Sequence, residues 1–159
     1  MNESPNAEVA DWAREAPQQF WDPSRKLLLT IRSYQRWQKR SGIAANLFRK
    51  WIILRHRFWS AITGADIPLT CKIGGGLLIP HPNGIVIHPG AEIGVNCLIF
   101  QQVTIGTRNK PGVPRIGDEV DIGAGAKILG SVNIGSHARI GANAVIIADV
   151  ACGAIAIGR

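Results

Sequence analysis

The chain has 159 residues, room for one modest domain with a helical appendage. An apolar fraction of 46% is ordinary for a globular protein, while three scattered cysteines (Cys71, Cys97 and Cys152) exclude a disulfide framework. No apolar run reaches the length of a membrane span and the N-terminus lacks a secretory pattern, so a cytoplasmic protein is expected.

The net charge of +7 is concentrated in one block. Arg25, Lys26, Arg32, Arg36, Lys39, Arg40, Arg49, Lys50, Arg55 and Arg57 follow one another with no acidic residue between them. A solvated helix face accounts for such a block, and weak contact with an anionic membrane surface is the alternative kept open; nucleic acid is not expected as a partner.

Residues 1–24 are polar and interrupted by Pro5, Pro17 and Pro23, so partial disorder is expected there. Trp12, Phe20 and Trp21 suggest that some of this segment docks. Residues 25–63 read as a basic α-helical region. Leu28, Ile31, Tyr34 and Trp37 predict a helix over residues 27–39, and Ser41-Gly42 breaks it. A second, amphipathic helix is predicted over 43–62, with Leu47, Trp51, Leu54 and Phe58 on one stripe and Gly64 at its end.

Residues 64–159 follow a different period. Aliphatic residues recur every sixth position at Ile67, Ile73 and Ile79, at Ile87, Ile93, Ile99 and Ile105, and at Ile116, Ile122, Ile128, Ile134, Ile140 and Ile146, with Cys152 read as a last variant. A small residue follows four positions after most of them, as at Cys71, Ala91, Cys97, Ala126, Ala138, Val150 and Ala156. A 3.6-residue helix scatters a six-residue period over all its faces, and a plain alternating strand has no turn every sixth residue. The economical solution is mainly β: a solenoid of short strands, three hexapeptides to a coil, with coils stacked at about 4.8 Å. About five coils are expected, with the aliphatic residues, the small residues and all three cysteines facing inward.

Function is sought where the period fails, because extra residues must leave the packed wall. The step from Ile79 to Ile87 is eight residues, and Pro80-His81-Pro82-Asn83-Gly84 must bulge. The step from Ile105 to Ile116 is eleven, and residues 107–115 must protrude. His81 is held between two prolines, and Asp66 lies one coil earlier near the return of the bulge. A carboxylate beside an imidazole suits a general base acting on a hydroxyl, and a surface histidine with an incidental aspartate is the alternative. His56, His88 and His137 read as structural or solvated, and the four histidines carry no zinc spacing, so no metal is expected.

Four motifs resemble the serine acetyltransferase branch of the hexapeptide-repeat acyltransferases: Gly64-Ala65-Asp66-Ile67-Pro68, His81-Pro82-Asn83-Gly84-Ile85-Val86-Ile87, Gln102-Val103-Thr104-Ile105-Gly106 and Asp121-Ile122-Gly123-Ala124-Gly125-Ala126-Lys127-Ile128-Leu129-Gly130. The resemblance runs from about residue 43 to the end. It implies a left-handed parallel β-helix, a homotrimer with sites in the clefts between subunits, and acetyl-CoA as donor. It implies His81 as general base, Asp66 as its partner, and direct transfer without an acyl-enzyme. Gly106, Thr107, Arg108, Ala124, Gly125 and Lys127 would bind the coenzyme, with Arg108, Lys110 and Arg115 available to its phosphates. Asn83 and Arg115 would contact a small-molecule acceptor.

The sequence departs from the family on the acceptor side. Pro80 stands where an acidic residue directly precedes the base, Pro89 where a Glu follows the bulge, and residues 112–115 lack the usual His. L-serine is the acceptor implied by resemblance; a sugar or polysaccharide-precursor hydroxyl is the alternative, and a non-catalytic scaffold a third reading. The histidine spacing does not fit a γ-class carbonic anhydrase. The segment before the repeats is shorter than the family's helical domain, so a trimer is expected rather than a hexamer. The sequence stops at Gly158-Arg159, short of the tail that covers the coenzyme in the family, and weaker donor binding is expected if that end is natural and not a truncation.

Overall fold

The computed structural model describes residues 9–109 and 111–158; residues 1–8 of the segment expected to be partly disordered, Lys110 of the coenzyme-phosphate set and the terminal Arg159 lie outside them. Helix α1 (Pro23–Trp37) starts earlier than its apolar spacing predicts. Asp22 is the reason: its Oδ1 accepts from the Arg25 amide at 3.4 Å, and a proline in the first turn has no intrahelical hydrogen bond to lose. Pro23 therefore begins a helix instead of interrupting one. Helix α2 (Ile43–Thr63) has the predicted span and closes at Gly64.

From there the chain winds through three parallel walls. The first stacks Lys72–Ile73, Glu92–Ile93, Arg115–Ile116 and Asn133–Ile134. The second stacks Leu98–Ile99, Asp121–Ile122, Arg139–Ile140 and Ile155–Ala156. The third stacks Val86–Ile87, Thr104–Gly106, Lys127–Leu129 and Val145–Ile146. Isolated bridges Ile134–Val150, Leu78–Leu98 and Asp66–Val86 add one level to each wall, giving the five coils expected. The isoleucines of successive coils pair in register, as Ile73, Ile93, Ile116 and Ile134 do, and each of these rungs is buried. Burial of this ladder is the main force holding the coils together.

The last coil corrects the predicted phase. Ile134 pairs with Val150 and Ile140 with Ala156, sixteen residues on in each case instead of eighteen. The corner after Ile146 is two residues short, and Asp149 seals it by accepting from the Asn133 amide at 2.8 Å. Val150 and Ala156 therefore take the aliphatic slots, and Cys152 is displaced to an exposed corner; only Cys71 and Cys97 face inward.

The segment before α1 does dock, but polar groups carry it. Glu15, in the 3₁₀ turn Trp12–Glu15, is buried in a two-pronged pair with Arg32 (2.7 and 2.8 Å) and accepts from the Leu77 amide at 3.0 Å. Arg32 also donates to the carbonyls of Ile73 and Gly74 at 2.7 and 2.6 Å, tying strap, helix and first coil together. Trp12, Phe20 and Trp21 remain more than half exposed.

Candidate active site

The eight-residue step from Ile79 to Ile87 produces the predicted bulge, laced to both neighbouring levels. The Gly84 amide donates to Gly64 O at 2.8 Å, and Asn83 O accepts from the Gln102 amide at 2.9 Å. His81 sits exposed on this bulge, with Asn83 beside it. Asp66 forms the lowest level of the third wall: its N–H donates to Ile85 O (2.8 Å) and its O accepts from the Ile87 amide (2.9 Å). Backbone pairing thus fixes Asp66 against the strand that leaves the bulge. Both side chains are exposed, and among the described residues neither is hydrogen-bonded to the other.

Above Asp66 the outward positions of the third wall run Val86, Thr104, Lys127 and Val145. The Lys127 ammonium donates to Gln102 O at 2.6 Å, on the same corner column as His81. Ala124 and Gly125 turn that corner one coil higher. The Gly125 amide is committed to Gln101 O (2.8 Å), and its φ of +73°, with Asn143 Oδ1 where a Cβ would lie, explains the glycine by packing. The Ala124 N–H meets no acceptor among the described residues and is a corner amide available to a ligand. Gly106, Thr107 and Arg108 occupy the opposite edge of the third wall. There Arg108, Asn109, Leu129 and Ile147 border a hollow of about 430 Å³.

Arg115 lies elsewhere. It is on the first wall, the side of the triangle opposite the corner that carries His81, and pairs with Glu92 (3.6 Å), which also holds Lys72 (2.8 Å). Within one chain it does not join the other predicted residues.

Reading the sequence missed the second wall of the site. A cleft of about 710 Å³ separates the His81 bulge from the start of α1, and Gln19, Trp21, Asp22 and Arg25 line the helix side. Burial pushes the Asp22 carboxyl upward, but hydrogen bonds from the Gln18 amide and from Arg25 outweigh that and hold it below the ordinary range, so it is an anion in the cleft wall. The Asp22-Pro23 pair was the available signal, as a helix start. His56 is structural, as expected: buried, with Nδ1 2.9 Å from Thr30 Oγ1. No cluster of metal-ligating side chains occurs among the described residues.

Known proteins resemble this chain in sequence and fold. The family model for bacterial transferase hexapeptide (six repeats) matches residues 114–148. A serine acetyltransferase of Helicobacter pylori is 44% identical over 100 residues, covering 61% of this chain and 58% of that one. Serine acetyltransferase isoform 3 of Entamoeba histolytica, solved in complex with cysteine, superposes with a TM-score of 0.72 at 32% identity, over 86% of this chain and 48% of that one. A serine acetyltransferase solved in complex with CoA gives 0.72 at 29% identity, over 87% and 56%. The chain thus spans about half the length of the relatives it matches. The resemblance read from the four motifs is borne out, and the fold is a left-handed parallel β-helix preceded by a short helical region.

Proposed function

We propose that this chain is an acetyl-CoA-dependent O-acetyltransferase of the serine acetyltransferase type, working in the cytoplasm. The observation that carries the reading is the cleft with His81 on its lip and Asp66 locked in register with the strand leaving the bulge. The His81 imidazole takes the proton of the acceptor hydroxyl as that oxygen attacks the thioester carbonyl. The tetrahedral intermediate collapses to the ester, the C–S bond breaks, and the coenzyme thiolate leaves with the proton returned by His81. Asp66 orients the imidazole and stabilises its protonated form. The coenzyme runs along the third wall between Ala124 and Lys127 on one edge and Gly106, Thr107 and Arg108 on the other, with Arg108 meeting phosphate.

Similarity to the relatives favours L-serine as acceptor, and the anionic Asp22 offers its ammonium a partner in the cleft wall. A sugar hydroxyl is the second reading, favoured by Trp21, an aromatic face on the cleft, and by Pro80 and Pro89 in place of acidic groups. Turnover of acetyl-CoA with serine and with a sugar panel decides between them. His81→Ala lowers kcat by about 10² to 10⁴ with the true acceptor; unchanged turnover removes the mechanism.

The placement of Arg115 supports a homotrimer. On the wall facing away from its own His81, it reaches an acceptor only across a subunit boundary. Sedimentation is expected to give three times the chain mass of 17.2 kDa. His81→Ala and Arg115→Ala chains, each impaired alone, recover part of the activity when refolded together; failure of mixed chains to recover places Arg115 outside the site.

A further inference from the structure

We propose that the outer face of α2 docks on the surface of an anionic lipid bilayer. The helix has two apolar faces. Ala45, Ile52, His56, Trp59 and Thr63 face the protein, while Ile43, Leu47, Trp51, Leu54, Phe58 and Ile62 stand out at 46 to 82% exposure. Six large apolar side chains in one stripe exceed the scatter normal on a monomer surface and mark an interaction site.

The border of the stripe identifies the occupant. Trp37, Phe48 and Trp51 form a row with ring centroids 4.5 and 5.6 Å apart, and the guanidinium groups of Arg40 and Arg55 lie 4.5 and 4.6 Å over the two tryptophans. Lys50 and Arg57 flank the other side. Of the ten cations in the helical block, Arg25 is engaged by Asp22 and Arg32 by Glu15. Arg36, Lys39, Arg40, Arg49, Lys50, Arg55 and Arg57 have no acidic partner among the described residues. Apolar side chains that enter the acyl boundary, tryptophans at headgroup depth and unpaired cations around them are what an interfacial helix requires. No described helix is long and apolar enough to cross the membrane, so α2 lies in the interface plane.

A second copy of the chain fits this face less well. Pairing α2 with itself about a two-fold axis sets the cations that flank the stripe, Lys50 and Arg57, against those of the other copy. Of the acidic groups on the β-helix walls, Glu92 is engaged by Lys72 and Arg115, Asp121 by Arg139 and Glu119 by His137, while Asp66 belongs to the proposed catalytic site. The proposal holds whichever acceptor the cleft takes.

Flotation of the full chain with vesicles is the test. It is expected to float with phosphatidylcholine vesicles containing phosphatidylglycerol at low salt, to be released by high salt, and to stay behind with phosphatidylcholine alone. Replacing both Lys50 and Arg57 by Gln lowers partitioning about 30-fold, from the usual contribution of a cation near an anionic surface. Leu54→Glu, at a site that needs no repacking, abolishes flotation while leaving the thermal unfolding midpoint in place. A wild-type chain that fails to float on anionic vesicles at low salt overturns the proposal. So does a Leu54→Glu variant that floats normally but sediments at a changed mass, which assigns the face to another copy.

Discussion

A Cβ added at Gly74 would lie 2.5 Å from the carbonyl carbon of Gly94 one coil up, whereas one added at Gly106 meets nothing within 4 Å. Two glycines in similar sequence settings are therefore under different constraints. Gly74→Ala forces adjacent coils apart and is expected to destabilise by about 1–3 kcal/mol, read as a lowered denaturant midpoint. Gly106→Ala leaves that midpoint unchanged and raises KM for acetyl-CoA, because the open space beside Gly106 is where the proposed coenzyme passes. An unchanged KM moves the coenzyme off that edge. The cysteines divide in the same way. Burial pushes the Cys71 thiol up to about 12, helped by the Asp66 charge, and Cys97 up to about 11, while Cys152 is exposed. Iodoacetamide at neutral pH is expected to label Cys152 in the native chain and all three cysteines after unfolding, as peptide mass mapping would show. The inward slots of Cys71 and Cys97 are legible in the six-residue period. The exposure of Cys152 is not, because only pairing across coils reveals the corner that Asp149 shortens.

The strap before α1 is held to the helix and the first coil by polar contacts, and those respond to charge and pH. Glu15 and Arg32 are both buried, so removing one charge strands the other. Glu15→Gln is expected to cost about 3–5 kcal/mol if the strap remains in place. Release of the strap limits that loss and appears instead as faster proteolysis between residues 9 and 22. Unchanged stability with unchanged proteolysis contradicts the latch. His56, on α2, packs against Thr30 of α1 and the backbone of Ile67 in the first coil. Burial lowers its pKa, and the Ile67 carbonyl and the Asp66 charge only partly oppose this. The unfolded chain therefore binds the proton more tightly than the folded one. The contribution of His56 is complete above the unfolded value of about 6.5 and is lost as pH falls through the lower folded value. His56→Gln is expected to flatten the acid limb of a stability-against-pH curve below about pH 6.5, and an unaltered slope would clear His56 of that role. The span of α2 was legible because apolar spacing and the Gly64 stop are local signals, whereas the start of α1 was set by the Asp22 cap and not by its apolar spacing. The strap was only half legible: its aromatics pointed to docking, but the partners of Glu15, at Arg32 and Leu77, are distant in sequence.

At the scale of the whole molecule, the five-coil solenoid follows from the period alone, since each six-residue step admits little besides a strand and a corner. The bulge at His81 was legible for the same reason, as surplus residues that a packed wall cannot absorb. The cleft was not, because half of it comes from Gln19 to Arg25, which the fold brings against His81 from a segment without any period. The same one-dimensional stacking makes stability local, each coil resting on its neighbours. At the start of the solenoid Leu27, Leu28, Ile31 and Trp59 belong to the same buried cluster as Ile67 and Ile73, so the first coil is covered. At the other end Ile155 and Ile157 are 69% and 78% exposed, and the last described coil contacts only the coil below it. Hydrogen exchange is therefore expected to be slowest for the amides of the middle coils, such as those of Ile105 and Ile122. It should remain slow in the first coil and be fastest from Val150 onward, because the end coil can open without breaking the rungs beneath it. Equal protection from Ile73 to Ile155 would mean that the coils open only together, and would require a covering surface over the last coil comparable to the one the helices give the first.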